Sequence, residues 1–186
     1  MMSAHHGRIV DMAQDGQEGL LTIGEAIRDC RDSGETGWEL VRYAQQWVHE
    51  HMAYSFTNSL DIPAIALRRG RGYCWQQASV LHKILLGLGF DSSMVYTTRA
   101  RFPKAALQGI MLPDRVSGHV WCRVSLNNQE LDVCPGDATN RPGRVHFTSL
   151  SPVRRWNAFV SFWTFLGSAA TNYRRSKRFA KYRKPN

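Results

Sequence analysis

Acidic residues are scarce in this chain. It carries 24 lysines and arginines against 15 aspartates and glutamates, for a formal charge of +9. Proline is sparse as well, and no internal repeat is present, which excludes collagen-like and solenoid architectures. The first residues, MMSAHHGRIVDMAQDGQEG, are polar and include two acids before residue 16 without an apolar stretch, so no secretory leader is read there and a cytoplasmic, reducing setting is expected. The aromatic segment Trp156–Leu166 is too short and too polar for a membrane span, since Asn157, Ser161 and Thr164 interrupt it. No acidic loop resembles a calcium site, and no cofactor or metal is implied. The four cysteines do not need to be staples, because 43% hydrophobic residues over 186 positions suffice for one ordinary core.

The charge is unevenly placed. Arg174, Arg175, Lys177, Arg178, Lys181, Arg183 and Lys184 supply most of the excess, so the rest of the chain is near neutral. The expected organisation is a flexible start over 1–19, one domain over 20–172 and a basic tail over 173–186. The tail reads as solvated charge able to touch anionic surfaces; nothing base-reading accompanies it, so no specific nucleic-acid partner is expected. Composition does not set an oligomeric state. The aromatic run from Trp156 reads as a helix covering the sheet or a dimer contact ahead of a membrane-surface helix.

Local patterning predicts helices over Leu20–Cys30 and Gly37–His51, a turn or two of helix within Ser59–Arg69 with Pro63 near its start, and a strand over Ser93–Arg101. Phe102–Ser117, with prolines and a glycine, reads as a long loop ahead of the next strand, a flap over a cleft.

The informative stretch is Arg71-Gly-Tyr-Cys74-Trp-Gln-Gln-Ala-Ser-Val-Leu81. Apolar residues at Trp75, Ala78, Leu81, Ile84, Leu85 and Leu88 begin a helix at the cysteine, and Gly87 and Gly89 stop it. Free N–H groups and the helix dipole at that position stabilise a thiolate and an oxyanion, so a lowered thiol pKa is expected for Cys74. Downstream, Gly118-His119-Val-Trp-Cys-Arg-Val-Ser-Leu126 and Glu130-Leu-Asp132-Val-Cys134 alternate on either side of Asn127-Asn128, as in a tight β-hairpin. A cysteine at a helix start with a histidine and a carboxylate on adjacent strands is a nucleophile–base–orienter set.

GYCWQQASVLHKILLGLGF, GHVW and ELDV, in that order, resemble the transglutaminase-like superfamily of papain-like cysteine enzymes, over about Met52 to Gly136, with spacings like those of its compact bacterial members. The resemblance implies an α+β, papain-like fold in which a Cys-bearing helix packs on an antiparallel sheet. It implies Cys74 as nucleophile, His119 as base and Asp132 as orienting carboxylate, with Tyr54 as a candidate second oxyanion donor; Trp75 and Arg71, which flank the cysteine, are candidate oxyanion or substrate contacts by position. It also implies a peptide, protein or small amide substrate, hydrolysed or transferred to an amine co-substrate. Arylamine N-acetyltransferases are a second resemblance, through Arg71-Gly-Tyr-Cys74 and Asp132-Val-Cys-Pro-Gly136, and would imply acyl-CoA. A non-catalytic scaffold that binds anions through the tail is a third reading.

Two alternatives stay open at this level. An ideal hairpin turning on Asn127-Asn128 sets Asp132 opposite Arg123, with His119 too far along the strand for contact. A bulge would shift that register, or Asp137 would supply the carboxylate in its place. A zinc site from His119, Cys122 and Cys134 is disfavoured because alternation puts His119 and Cys122 on opposite faces. Cys30, Cys122 and Cys134 are read as packing residues, and Arg68, Arg69 and Arg71 as solvated charge or anchors for a substrate acid.

Overall fold

A computed structural model describes residues 21–103, 106–107, 110–111 and 114–159. Four helices come first: α1 (Ile23–Asp32), α2 (Gly37–His51), α3 (Pro63–Arg68) and α4 (Cys74–Gly87). Short strands β1 (Ala53–Tyr54) and β2 (Arg71–Gly72) pair in parallel between them. Strands β3 (Asp91–Phe102), β4 (Ala106–Leu107), β5 (Ile110–Met111), β6 (Arg115–Leu126), β7 (Gln129–Val133), β8 (Thr148–Ser149) and β9 (Arg154–Arg155) follow. The main sheet is antiparallel in the order β7-β6-β3-β8, with β9 also on β3, so the fold is α+β.

Each boundary has a local cause. Thr22 and Glu25 exchange side-chain and backbone hydrogen bonds across the start of α1 (2.7 and 3.2 Å), a capping box. Pro63 opens α3, where its missing N–H costs nothing. Asn127 and Asn128 take φ of 51° and 61°, the left-handed pair a two-residue hairpin turn requires. That turn sets Leu126 opposite Gln129 and Arg123 opposite Asp132.

The sheet separates two cores by alternation. Val120, Cys122, Val124, Met94 and Tyr96 face the helices, where Val41, Val48, Leu81, Ile84 and Leu85 are buried. Trp121, Val95, Phe102 and Cys134 form the second core with Phe147. The Cys122 thiol donates to the Ala78 carbonyl at 3.2 Å, so α4 lies directly across β6. In the stretch expected as one long loop, the described residues are largely strand: β3 runs to Phe102 and β6 starts at Arg115, with β4 and β5 paired with each other in the stretch between. Ladder bonds to β6 and β8 extend β3 until Pro103, which has no N–H to offer. The expected flexible start, the basic tail and the aromatic run from residue 160 lie outside the described residues; Trp156 itself stacks on Trp75, ring centroids 6.2 Å apart. Among the described residues no helix is long and apolar enough to cross a membrane.

Gly72 precedes the start of α4 and has no room for a side chain. A Cβ there would lie 2.9 Å from Gln76 Cβ and Oε1 and 3.0 Å from Met52 Cε. Gly72→Ala is expected to destabilise the fold by ~1–3 kcal/mol, as overpacking does. Urea titrations would read this as a lower midpoint at unchanged slope; an unshifted midpoint would mean that the start of α4 yields freely.

Candidate active site

Two adjacent glutamines hold the start of α4. Gln76, fully buried, accepts from Tyr73 N–H (3.0 Å) and donates to the Asn58 and Asp61 carbonyls (2.9 and 2.7 Å). Gln77 donates to the Met52 carbonyl at 2.6 Å. Together they tie the chain over 52–61 to the first turn and set the position of Cys74, the first helical residue. Sequence reasoning missed both residues, although two glutamines inside a buried helical pattern were a visible signal.

Cys74 is half-buried, and the backbone N–H groups of Val120, Trp75 and Cys74 itself act on its thiol. Val120 directly follows His119, so helix and strand meet at this point. Burial raises the Cys74 pKa, and those N–H groups and Arg115 offset it only in part. The lowered pKa expected from the helix start is therefore corrected. Desolvation of a thiolate outweighs the dipole and the N–H groups here.

His119 sits on β6 beside the irregularity in the β3–β6 ladder between Thr97 and Ala100. It is 5% exposed, with Phe147 at 4.5 Å, Phe102 at 5.1 Å and Trp121 at 5.8 Å between ring centroids. Burial, then His146 and Arg115, push its pKa down to about 3, so the ring is neutral at neutral pH. Its Nε2 meets the Cys134 sulfur at 3.3 Å. Cys134 lies just past β7, is 1% exposed, and has its thiol pushed up to about 12, chiefly by burial. Cys134 was read as a packing residue; only the return path of the chain after β7 brings it against the imidazole.

Asp132 does not reach His119. Its carboxylate accepts from Arg123 Nε at 2.8 Å across the hairpin. The tight turn keeps the ideal register, with no bulge to move Asp132 along, so its carboxylate is set on Arg123. Asp137, the alternative, accepts from Thr139 N–H (2.8 Å) and hydroxyl (2.6 Å). Its charge acts on His146, which in turn sits 6.3 Å from His119. Tyr54, on β1, is 44% exposed, and the Arg115 guanidinium lies 6.0 Å from its ring centroid. Trp75 bridges Tyr73 and Trp156 (6.0 and 6.2 Å). Arg71 is exposed on β2, and Arg69 is engaged by Asp61 at 2.8 Å. Arg115 was not anticipated. It stacks over Phe102 at 4.8 Å and acts on Cys74, His119 and Tyr54 alike. Cys122 points away from the site, toward Ala78.

The sequence matches the family profile described as "Transglutaminase-like superfamily" over residues 25–131. That span includes Cys74 and His119 and ends before Asp132 and Cys134. Among solved structures, the chain is similar to a protein described as a TGase (15% identity, TM-score 0.46, covering 69% of this chain and 33% of that one). It is also similar to a candidate cysteine protease from Cytophaga hutchinsonii (11%, 0.47, covering 73% and 49%). A candidate protease from Parabacteroides distasonis is a third (13%, 0.41, covering 71% and 26%). The chain thus spans half or less of the length of each. No curated protein matches the sequence.

The raised thiol pKa has a kinetic consequence. Alkylation of Cys74 by iodoacetamide should be slow at neutral pH and climb through the ordinary thiol value of 9.0. A rate already at its plateau at neutral pH would show a thiolate held by the site. The buried histidine has a thermodynamic one. Its folded pKa of about 3 is below its ordinary 6.5, so the unfolded chain binds the extra proton between those values. Stability should therefore fall as pH drops through that window, by at most ~1.4 kcal/mol per unit from this residue. Denaturant titrations on wild type and His119→Gln would show the loss reduced in the variant; equal losses would place the acid sensitivity elsewhere.

Proposed function

The chain belongs to the Transglutaminase-like superfamily, and on that footing we propose that it is a cysteine-dependent acyl enzyme acting on an amide. The observation that carries this reading is the Cys74 thiol at the start of α4, acted on by the Val120 N–H of the strand that bears a buried neutral imidazole.

The Cys74 sulfur attacks the amide carbonyl carbon, and its proton passes to His119. In the tautomer that donates Nε2–H to Cys134, 3.3 Å away, the His119 lone pair is on Nδ1, and this is the form that would receive that proton. The carbonyl oxygen becomes an oxyanion taken up by the Cys74 N–H, with the Tyr54 hydroxyl as second donor. Collapse breaks the C–N bond, the leaving amine takes the proton back from His119, and Cys74 is left as a thioester. Water or a second amine, deprotonated by His119, then releases the acyl group. The first acceptor makes an amidase or peptidase, the second an amide-forming transferase. No step calls for a cofactor.

The third position of the set holds a thiol in place of a carboxylate. A neutral Cys134 fixes the imidazole tautomer but stabilises its charged form only weakly, so the resting pair is thiol and imidazole. The family-typical carboxylate at this point should therefore help. Cys134→Asp is expected to speed acylation at neutral pH by about tenfold, one pKa unit of imidazolium stabilisation. Asp132→Asn, which breaks a surface-side pair with Arg123, should leave acylation within a few-fold of wild type.

The reading is tested by intact mass after treatment with an activated acyl ester. One acyl adduct is expected on wild type, none on Cys74→Ala, and strongly slowed formation on His119→Ala. An adduct that survives Cys74→Ala would sink the assignment. A folded Cys134→Asp no faster than wild type, together with a dead Asp132→Asn, would return the third role to Asp132.

A further inference from the structure

Beside the catalytic pair lies a second feature that the chemistry does not use. A cleft of about 940 Å³ opens between the end of β3 and the loop after β7. Among the described residues its arginines are Arg101, Arg141 and Arg144, all exposed, and its carboxylate is Asp114. Among the described residues none of the three arginines is in an ion pair. The Arg141 guanidinium is partly used on the Ala138 and Asn140 carbonyls (2.9 and 2.6 Å), and its remaining N–H groups are spare.

The basic rim is built, not incidental. Arg141-Pro142-Gly143-Arg144 is a tight turn whose end residues pair with each other: Arg141 N–H bonds Arg144 O at 2.9 Å and the reverse bond is 2.8 Å. Gly143 takes φ +78°, which this turn needs and other residues resist. Two arginines are thereby placed opposite one another in the backbone pairing, and a bound anion would find both beside it. The turn rests on Asn140, 2% exposed, whose Nδ2 donates to the Cys134 carbonyl at 2.8 Å and whose Oδ1 accepts from His146 N–H at 2.8 Å.

The cleft also shares a wall with the site. His146 and Phe147 line it, and the same two rings stand 6.3 and 4.5 Å from His119. A ligand in the cleft is therefore one aromatic layer from the base. The volume suits several residues of peptide more than a single ion, and Phe147, Val145 and Pro103 give it an apolar floor.

We propose that this cleft is a substrate subsite for an acidic peptide segment, whose carboxylates pair with Arg101, Arg141 and Arg144 while the amide beside it reaches Cys74. The proposal deepens the acyl-enzyme reading and rests on it for the second half only. Binding of the acidic segment is independent of the chemistry and is measured without it.

The test uses full-length Cys74→Ala protein and fluorescence anisotropy with a labelled glutamine peptide flanked by glutamates, against the same peptide flanked by serines. The acidic peptide should bind about tenfold tighter or more, with a preference that shrinks as salt rises. Arg141→Glu with Arg144→Glu should abolish the preference, and Arg141→Lys with Arg144→Lys should keep most of it. Should the charge-reversed turn lower the melting temperature, Arg101→Glu, on a paired strand, gives the same reading. Arg174→Glu with Arg175→Glu should leave the preference intact. The proposal is overturned if reversing the cleft arginines leaves the affinities unchanged, or if reversing the tail arginines alone removes the preference. Competition by coenzyme A where acidic peptide fails would assign the cleft to phosphates and overturn it as well. Tight acidic binding in a protein that forms no acyl adduct would keep the subsite and remove the acyl-enzyme reading.

Discussion

The seat of α4 across β6 is the constraint from which the rest follows. Small Ala78 lets the Cys122 thiol reach its carbonyl at 3.2 Å, so helix and strand approach closely. Gln76 and Gln77, satisfied at the Asn58, Asp61 and Met52 carbonyls, lock the helix start in place. One turn above Ala78 the helix therefore delivers Cys74 to the Val120 N–H, beside His119. Buried amide groups of this kind hold position because any shift would leave them unpaired at a cost of ~1–3 kcal/mol each.

That geometry sets the electrostatics. The same close packing that aims N–H groups at the Cys74 sulfur also strips water from both partners. Desolvation wins on each: the thiol rises and the imidazole falls to about 3. A carboxylate against Nε2 would oppose this, but the nearest group there is Cys134, itself pushed up to about 12. Thiol and imidazole are thus both neutral at neutral pH, and Arg115 acts on Cys74, His119 and Tyr54 alike.

The loop after β7 serves both sides of the site. Asn140 holds the carbonyl of Cys134 and the backbone of His146, so one buried amide positions the thiol on Nε2 and the ring that backs His119. Its outer edge carries the Arg141–Arg144 turn. The Arg141–Arg144 turn, Cys134 and His146 are in this way mechanically joined through a single side chain.

The sequence by itself determined the features that depend on near neighbours. The α2 limits, the helix beginning at Cys74, Pro63 at the start of α3 and the Asn127-Asn128 turn are written in periodicity, missing N–H groups and left-handed dihedrals. Even the conflict over Asp132 was legible, because a two-residue turn dictates that it face Arg123. Tertiary structure alone decided the rest. Cys134 meets His119 because the chain turns back beyond β7, and no local rule distinguishes a packing thiol from one aimed at an imidazole. The ladder lengths of β3 and β6 came from cross-strand bonds their own composition did not announce. The sign of the Cys74 shift was likewise out of reach. A helix start can be read from spacing, whereas desolvation is a sum over everything that closes around the sulfur, and that sum is made only when the sheet, helices and loop come together.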